Sequence, residues 1–181
     1  MQMQLRRALP EDATALADVE VATWRTAYRG LLPSAFLDRL SSEEKTESWR
    51  QNLLKHGTAG RTRVIVALKD DRIVGLVRVG LEENEGEDGL VYLLYVLPEH
   101  WHSGIGTALL RAGMDELRDL GAPEAILWVL RDNYRARHFY ERLGWRQDGQ
   151  ITGQEYAGVE LTALCYRRAL DMSASSSLSF R

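Results

Sequence analysis

The stretch LVYLLYVLPEHWHSGIGTALL, residues 90–110, decides the fold. From Leu90 to Leu97 it is an almost unbroken apolar run, of a length and composition that suit a buried central strand. Pro98 ends that strand and Gly104-Ile105-Gly106 makes a turn. Ala108, Leu109, Ala112, Leu117 and Leu120 then recur at helical spacing up to a stop at Gly121. Buried strand, glycine turn and helix start together form an anion site. Glycines let the backbone approach a ligand, and the unpaired amides of the first helical turn point outward with the positive end of the dipole. A pyrophosphate fits such a turn, each charge gaining about 0.3 to 2 kcal/mol from the helix end. Neither the phosphate-loop pattern nor Gly-x-Gly-x-x-Gly is present, because Leu109 stands where the third glycine belongs. Two glycines taken alone also fit an ordinary turn.

Working upstream, Arg63 to Leu68 and Arg72 to Leu81 are Val- and Ile-rich runs joined by Lys69-Asp70-Asp71, which predicts an antiparallel hairpin. Before them the spacing predicts a pair of helices. The first follows Pro10-Glu11-Asp12 and stops at Gly30; the second follows Ser41-Ser42-Glu43-Glu44 and carries Trp49, Leu53 and Leu54. A first strand is expected at Gln4 to Leu9. Along the first helix Leu16, Val19, Thr23 and Ala27 form one stripe, and Ala17, Glu20, Trp24 and Tyr28 form a second that a single buried face does not explain. Downstream, Glu124 to Leu130 reads as a strand, and Asp132-Asn133 caps a helix running to Gly144. Trp145 to Gly149 and Ala157 to Arg167 read as final strands. The succession predicts one mixed α+β domain over residues 1–170, with the Ser-rich segment 171–181 as a flexible tail.

Composition narrows the function. The 181 residues are 45% hydrophobic and 27% charged, in the globular range, and the net charge of −3 lacks the basic excess that nucleic-acid binding uses. Cys165 is the only cysteine, so there is no intrachain disulfide and no cysteine metal cluster. With no signal-peptide pattern and no apolar run long enough for a membrane span, the expected place is the cytoplasm, away from membranes. His100 and His102 stand two apart without a third ligand in view, which argues against a metal site. His56 and His138 read as surface residues and Cys165 as core.

Two blocks of sequence carry a resemblance. Trp101-His102-Ser103-Gly104-Ile105-Gly106 resembles the acetyl-CoA turn of the GCN5-related N-acetyltransferase (GNAT) superfamily at its glycines, and departs from it at Trp101, where that family usually has Gln or Arg. Asn133-Tyr134-Arg135-Ala136-Arg137-His138-Phe139-Tyr140-Glu141-Arg142-Leu143-Gly144-Trp145 resembles the family's second block, an Asn, an aromatic-rich helix and a Leu-Gly-aromatic ending. The opening Leu5-Arg6-Arg7-Ala8 and the segment from Trp24 to Pro33 are similar to one bacterial-type branch. The resemblance extends over residues 1 to about 168.

The resemblance implies a mostly antiparallel sheet, splayed at its middle strands and flanked by helices. It also implies acetyl transfer from acetyl-CoA to an amine, by direct attack in a ternary complex and without a metal. Leu94, Tyr95 and Val96 are then expected along the pantetheine arm, and Trp101, His102, Ser103, Gly104, Ile105, Gly106 and Thr107 around the pyrophosphate. Asn133 is expected to hold the cofactor arm, to cap its helix, or both. Tyr140 matches the family tyrosine that protonates the leaving thiolate; as a residue it also reads as core. Glu20, Trp24, Tyr28 and Tyr92 are candidates for the acceptor pocket, with Glu20 a base acting through water or a surface carboxylate. The second stripe can equally pack on the next helix through Trp49. The acidic run Glu82 to Asp88 reads as a solvated loop or as a field that steers a cationic amine. Acceptors that fit range from a small metabolite, an antibiotic or a polyamine to a protein amine, and homodimers are common in the family. The alternatives are another acyl donor or acceptor, or an acyl-CoA-binding module without catalysis.

Overall fold

Alternation along the strands decides which side of the sheet each residue covers. In the computed structural model, which describes residues 3–56, 60–81 and 88–171, seven strands form one sheet in the order β1-β2-β3-β4-β5-β7-β6. They are β1 (Gln4–Arg7), β2 (Thr62–Lys69), β3 (Arg72–Leu81), β4 (Gly89–Val96), β5 (Glu124–Leu130), β6 (Arg146–Tyr156) and β7 (Val159–Ala169). Every neighbouring pair is antiparallel except β4 and β5. Val64, Val66 and Leu76 face one way, onto α1 (Ala13–Ala27) and α3 (Ser42–His56), where they meet Leu16, Val19 and Trp49. Their neighbours Ile65, Val77 and Val79 face the other way, with Leu109, Leu110 and Leu117 of α4 (Ile105–Asp119) and Tyr140 of α5 (Tyr134–Arg142). Burying each such side chain contributes about 1.5 to 3 kcal/mol. The two-faced burial explains why these strands read as continuous apolar runs.

Three details depart from the sequence reading. A short helix, α2 (Ser34–Asp38), follows Pro33, so the helix pair is a helix trio. Leu54 points outward while Trp49 and Leu53 pack inward. The strand expected to end at Gly149 instead continues to Tyr156: Gly149, at φ +91°, lies in an irregularity between Gln147 and Ile151, after which pairing with β7 resumes. A glycine that absorbs a bulge looks, in sequence, like one that ends a strand. The β2–β3 hairpin does turn at Asp70 and Asp71, whose φ of 51° and 60° give the turn the twist that strand pairs favour. Residues 82–87 of the acidic run, residues 172–181 of the tail and the side chain of His56 lie outside the described residues.

Candidate active site

The centre of the sheet is split. β4 and β5 pair only over Gly89–Val91 against Ala125–Leu127; beyond that the strands part, β4 staying with β3 and β5 with β7. The Leu97 amide donates to the Val74 carbonyl at 2.9 Å, which fixes the parity of the β3–β4 ladder: Tyr95 and Leu93 pair with β3, whereas the peptide groups of Leu94 and Val96 face the gap. The Val96 carbonyl accepts from Thr23 Oγ1 at 3.2 Å and from Trp101 Nε1 at 2.7 Å. One mouth of the split is thereby pinned to α1 and to the glycine turn.

Two clefts meet at the split. The turn-side cleft, about 490 Å³, lies between the segment His100–Thr107 and α5. The glycine turn forms one side of it. Gly104 sits at φ +85° and starts α4 with no capping side chain, so no side chain takes the amides of its first turn. A Cβ on Gly106 would meet Phe139 at 3.5 Å, an ordinary contact, so packing tolerates more than hydrogen there and the glycine's use is the open backbone it leaves. Ser103 Oγ donates to the His100 carbonyl at 2.6 Å and His102 adopts φ 61°, which tightens the turn. Trp101, the departure from the family pattern, has its indole N–H on Val96 and its ring under the Arg135 guanidinium, 3.6 Å from the centroid.

The second cleft, about 320 Å³, is aromatic. Trp24 and Tyr28 from α1, Tyr92 and Tyr95 from β4, Trp128 from β5 and Tyr156 from β6 line it. Trp24 Nε1 donates to the Tyr95 hydroxyl at 2.9 Å, and Trp24 meets Tyr28 and Tyr156 edge to face at 4.8 and 5.8 Å. Leu94, Arg135 and Tyr140 border both clefts, where the two join. Asn133 lines the aromatic cleft and caps α5, its Oδ1 accepting from the Ala136 amide at 3.1 Å. That bond leaves the side-chain amide group as a donor.

Of the expected acceptor residues, the fold brings Trp24, Tyr28 and Tyr92 together and keeps Glu20 apart. The Glu20 carboxylate accepts from Trp49 Nε1 at 2.8 Å and pairs with Lys45 at 2.7 Å, and it lines neither cleft. The second stripe of α1 therefore divides, Glu20 packing on α3 and the two aromatics facing the split. Thr23, Arg135 and Tyr156 were not singled out in sequence. Tyr156 was hidden by the unexpected length of β6, and Thr23 looked like one more member of a buried stripe.

Burial sets the titration of the site. Tyr140 is pushed well above the ordinary phenol range, first by desolvation and then by Tyr28, with Arg135 acting the other way. Tyr28 is pushed up to about 12, chiefly by desolvation. Both phenols stay protonated at neutral pH. Arg135 is lowered by its partial loss of water, against the opposing pull of Tyr140 and Tyr28. Cys165 is buried, its thiol pushed up to about 12 mainly by desolvation, far from thiolate chemistry. Among the described residues no group of three or more His, Cys, Asp or Glu side chains is arranged to hold a metal, and no helix is long and apolar enough to cross a membrane.

The Acetyltransferase (GNAT) family matches residues 22–145. The chain is 33% identical over 133 residues to the uncharacterized N-acetyltransferase YuaI of Bacillus subtilis, covering 71% of this chain and 72% of YuaI. It is 26% identical over 156 residues to spermidine N(1)-acetyltransferase of Thermoplasma acidophilum, covering 81% and 89%. In fold it resembles the PaiA N-acetyltransferase of T. acidophilum, solved in complex with coenzyme A, with a TM-score of 0.76 at 19% identity over 93% of this chain and 99% of that one. The chain belongs to the GNAT family and is an acyltransferase.

Proposed function

We propose that the protein transfers the acetyl group of acetyl-CoA to a primary amine by direct attack within a ternary complex. The observation that carries this reading is the gap between β4 and β5: a β4 edge without a strand partner at Leu94 and Val96, the glycine turn at one mouth, and Tyr140 where the clefts join.

In this reading the cofactor's pyrophosphate rests on the backbone between His102 and Thr107, where the α4 dipole favours its charge. The pantetheine arm takes the place of the missing strand partner beside Leu94, Tyr95 and Val96, and the Asn133 side-chain amide holds it. The thioester then lies at the junction of the clefts. The amine nitrogen, entering from the aromatic cleft, attacks the carbonyl carbon. Main-chain amides at the split stabilise the resulting oxyanion, a positioned-donor effect of about 3 kcal/mol. As the C–N bond forms and the C–S bond breaks, Tyr140 passes its proton to the departing sulfur. Burial keeps Tyr140 protonated and so ready to donate.

Thermal unfolding with acetyl-CoA, against NADH and ATP as controls, tests the reading before any acceptor is known. At about 100 times the dissociation constant the ligand adds about 2.7 kcal/mol, a rise of about 5 to 10 °C for a domain of this size. A selective rise supports the reading, and thiol release then identifies acceptors. No rise at millimolar acetyl-CoA in a folded sample overturns it.

A further inference from the structure

The aromatic cleft is unusual in its charge. Among the described residues that line it there is no Asp or Glu, and the only charged side chain is Arg135. Its guanidinium lies against the Trp101 ring and has no carboxylate partner among the described residues. Arg78 likewise covers the Tyr92 ring at 4.7 Å and has no carboxylate partner there. Lys45 approaches the Trp24 ring at 5.6 Å and pairs with Glu20, which lies outside the lining although its charge is felt at Tyr28 and Tyr95. The ring faces of Trp24 and Tyr92, which would otherwise attract an ammonium, are thus already near cations of the protein itself.

Among the described lining residues a polycation meets no carboxylate, whereas an acid group finds a fork of donors at Arg135. We infer that the acceptor is an amine that also carries a carboxylate, an amino acid or a molecule built like one, held through its acid group by Arg135. This rests on the acetyl-transfer reading and names its acceptor class. Loss of water among the aromatic side chains disfavours the ammonium form of the acceptor and lowers its pKa. A neutral nucleophile then forms without a carboxylate base, its proton leaving to water. The overall reaction balances as amine plus thioester giving amide plus thiol.

Arg135 also borders the turn-side cleft, so the experiment must separate acceptor from cofactor. Thiol release is measured for matched pairs that differ only in the acid group, phenylalanine against 2-phenylethylamine and leucine against 3-methylbutylamine, with spermidine as the polycation. The stabilisation by acetyl-CoA is recorded on the same sample. The expected result is a kcat/KM at least about tenfold higher for the carboxylated member, as a charge-assisted contact supplies. Spermidine should be slower still. In Arg135→Gln the ratio within each pair should fall toward one through the acceptor KM, and Arg135→Lys should restore part of it. Equal rates within the pairs, preference for spermidine, or a defect of Arg135→Gln confined to the acetyl-CoA KM overturns the inference. Stabilisation by acetyl-CoA without turnover of any carboxylated amine also overturns it, and leaves the cofactor reading standing; loss of the stabilisation as well overturns both.

Discussion

The two clefts that meet at the split sheet are built from different material. The turn-side cleft takes one wall from a short glycine-containing run, His102 to Thr107, held in place by the positive φ of Gly104 and by Ser103 on His100, and most of the rest from β4 and α5. The aromatic cleft is side chains drawn from α1, β4, β5, β6 and α5, which lie more than a hundred residues apart in the chain between Trp24 and Tyr156. Backbone donors are the same whatever the side chains, so the first cleft suits a ligand common to a whole family. The second changes with every substitution, so it suits the partner that differs between family members.

The sharpest way to break this comparison is at the junction. Tyr140→Phe keeps the ring in its buried place and removes only the hydroxyl. Turnover by thiol release should fall about 100-fold or more, while stabilisation by acetyl-CoA persists; unchanged turnover would return Tyr140 to the core. Next in size is Gly104→Val. A β-branched side chain at φ +85° costs about 1 to 2 kcal/mol of fold stability. It should also weaken acetyl-CoA about tenfold, since up to about 2 kcal/mol of helix-end attraction depends on that geometry. Titration of the stabilisation against ligand concentration separates the two effects. If Gly104→Val bound acetyl-CoA normally, the backbone account of the turn-side cleft would fail.

A smaller effect concerns the carbonyl that joins the clefts. Thr23→Val and Trp101→Phe each remove one of the two donors to Val96, and each alone should cost about 1 kcal/mol or less in urea unfolding. The double variant leaves that carbonyl without either donor and should cost more than the sum. Strict additivity would show that the two donors act independently.

An effect of similar size to those single variants lies at the base of α1, which carries Thr23, Trp24 and Tyr28 into the second cleft. Burial raises the pKa of Asp12, but the Arg6 fork and the Leu9 amide outweigh it, so the folded value lies below the unfolded one of 3.8. The stabilisation is present above the unfolded value and is lost as pH falls through the folded one. Asp12→Asn should therefore be less stable by about 1 kcal/mol at neutral pH, and the gap from the parent should narrow as pH falls below about 4. A constant gap down to pH 2 would remove the ion pair from the account.

How much of this was legible follows from the same contrast. The strand, turn and helix of residues 90–110 and the block from Asn133 to Trp145 were readable because their residues are contiguous and their periods unambiguous. Trp24, Tyr28 and Tyr92 were suspected from stripe and strand parity, and the fold gathers them. Glu20 sat on the same stripe and went elsewhere, because Lys45 and Trp49 on α3 took both of its oxygens. Arg135 gave no signal, standing on a helix already rich in arginine. Tyr156 was concealed by Gly149, whose bulge read as the end of a strand.

By itself, then, the amino-acid sequence determined the order of the elements apart from α2, the buried character of the strand from Leu90 and the glycine turn, since each rests on local periodicity or on the conformational freedom of single residues. Only the tertiary structure decided where β4 and β5 part, which of α1's polar and aromatic residues face the split, and that the resulting cleft holds a guanidinium and, among the described residues, no carboxylate. Those features depend on which distant side chains meet across the packed sheet, and no spacing along the chain encodes that meeting.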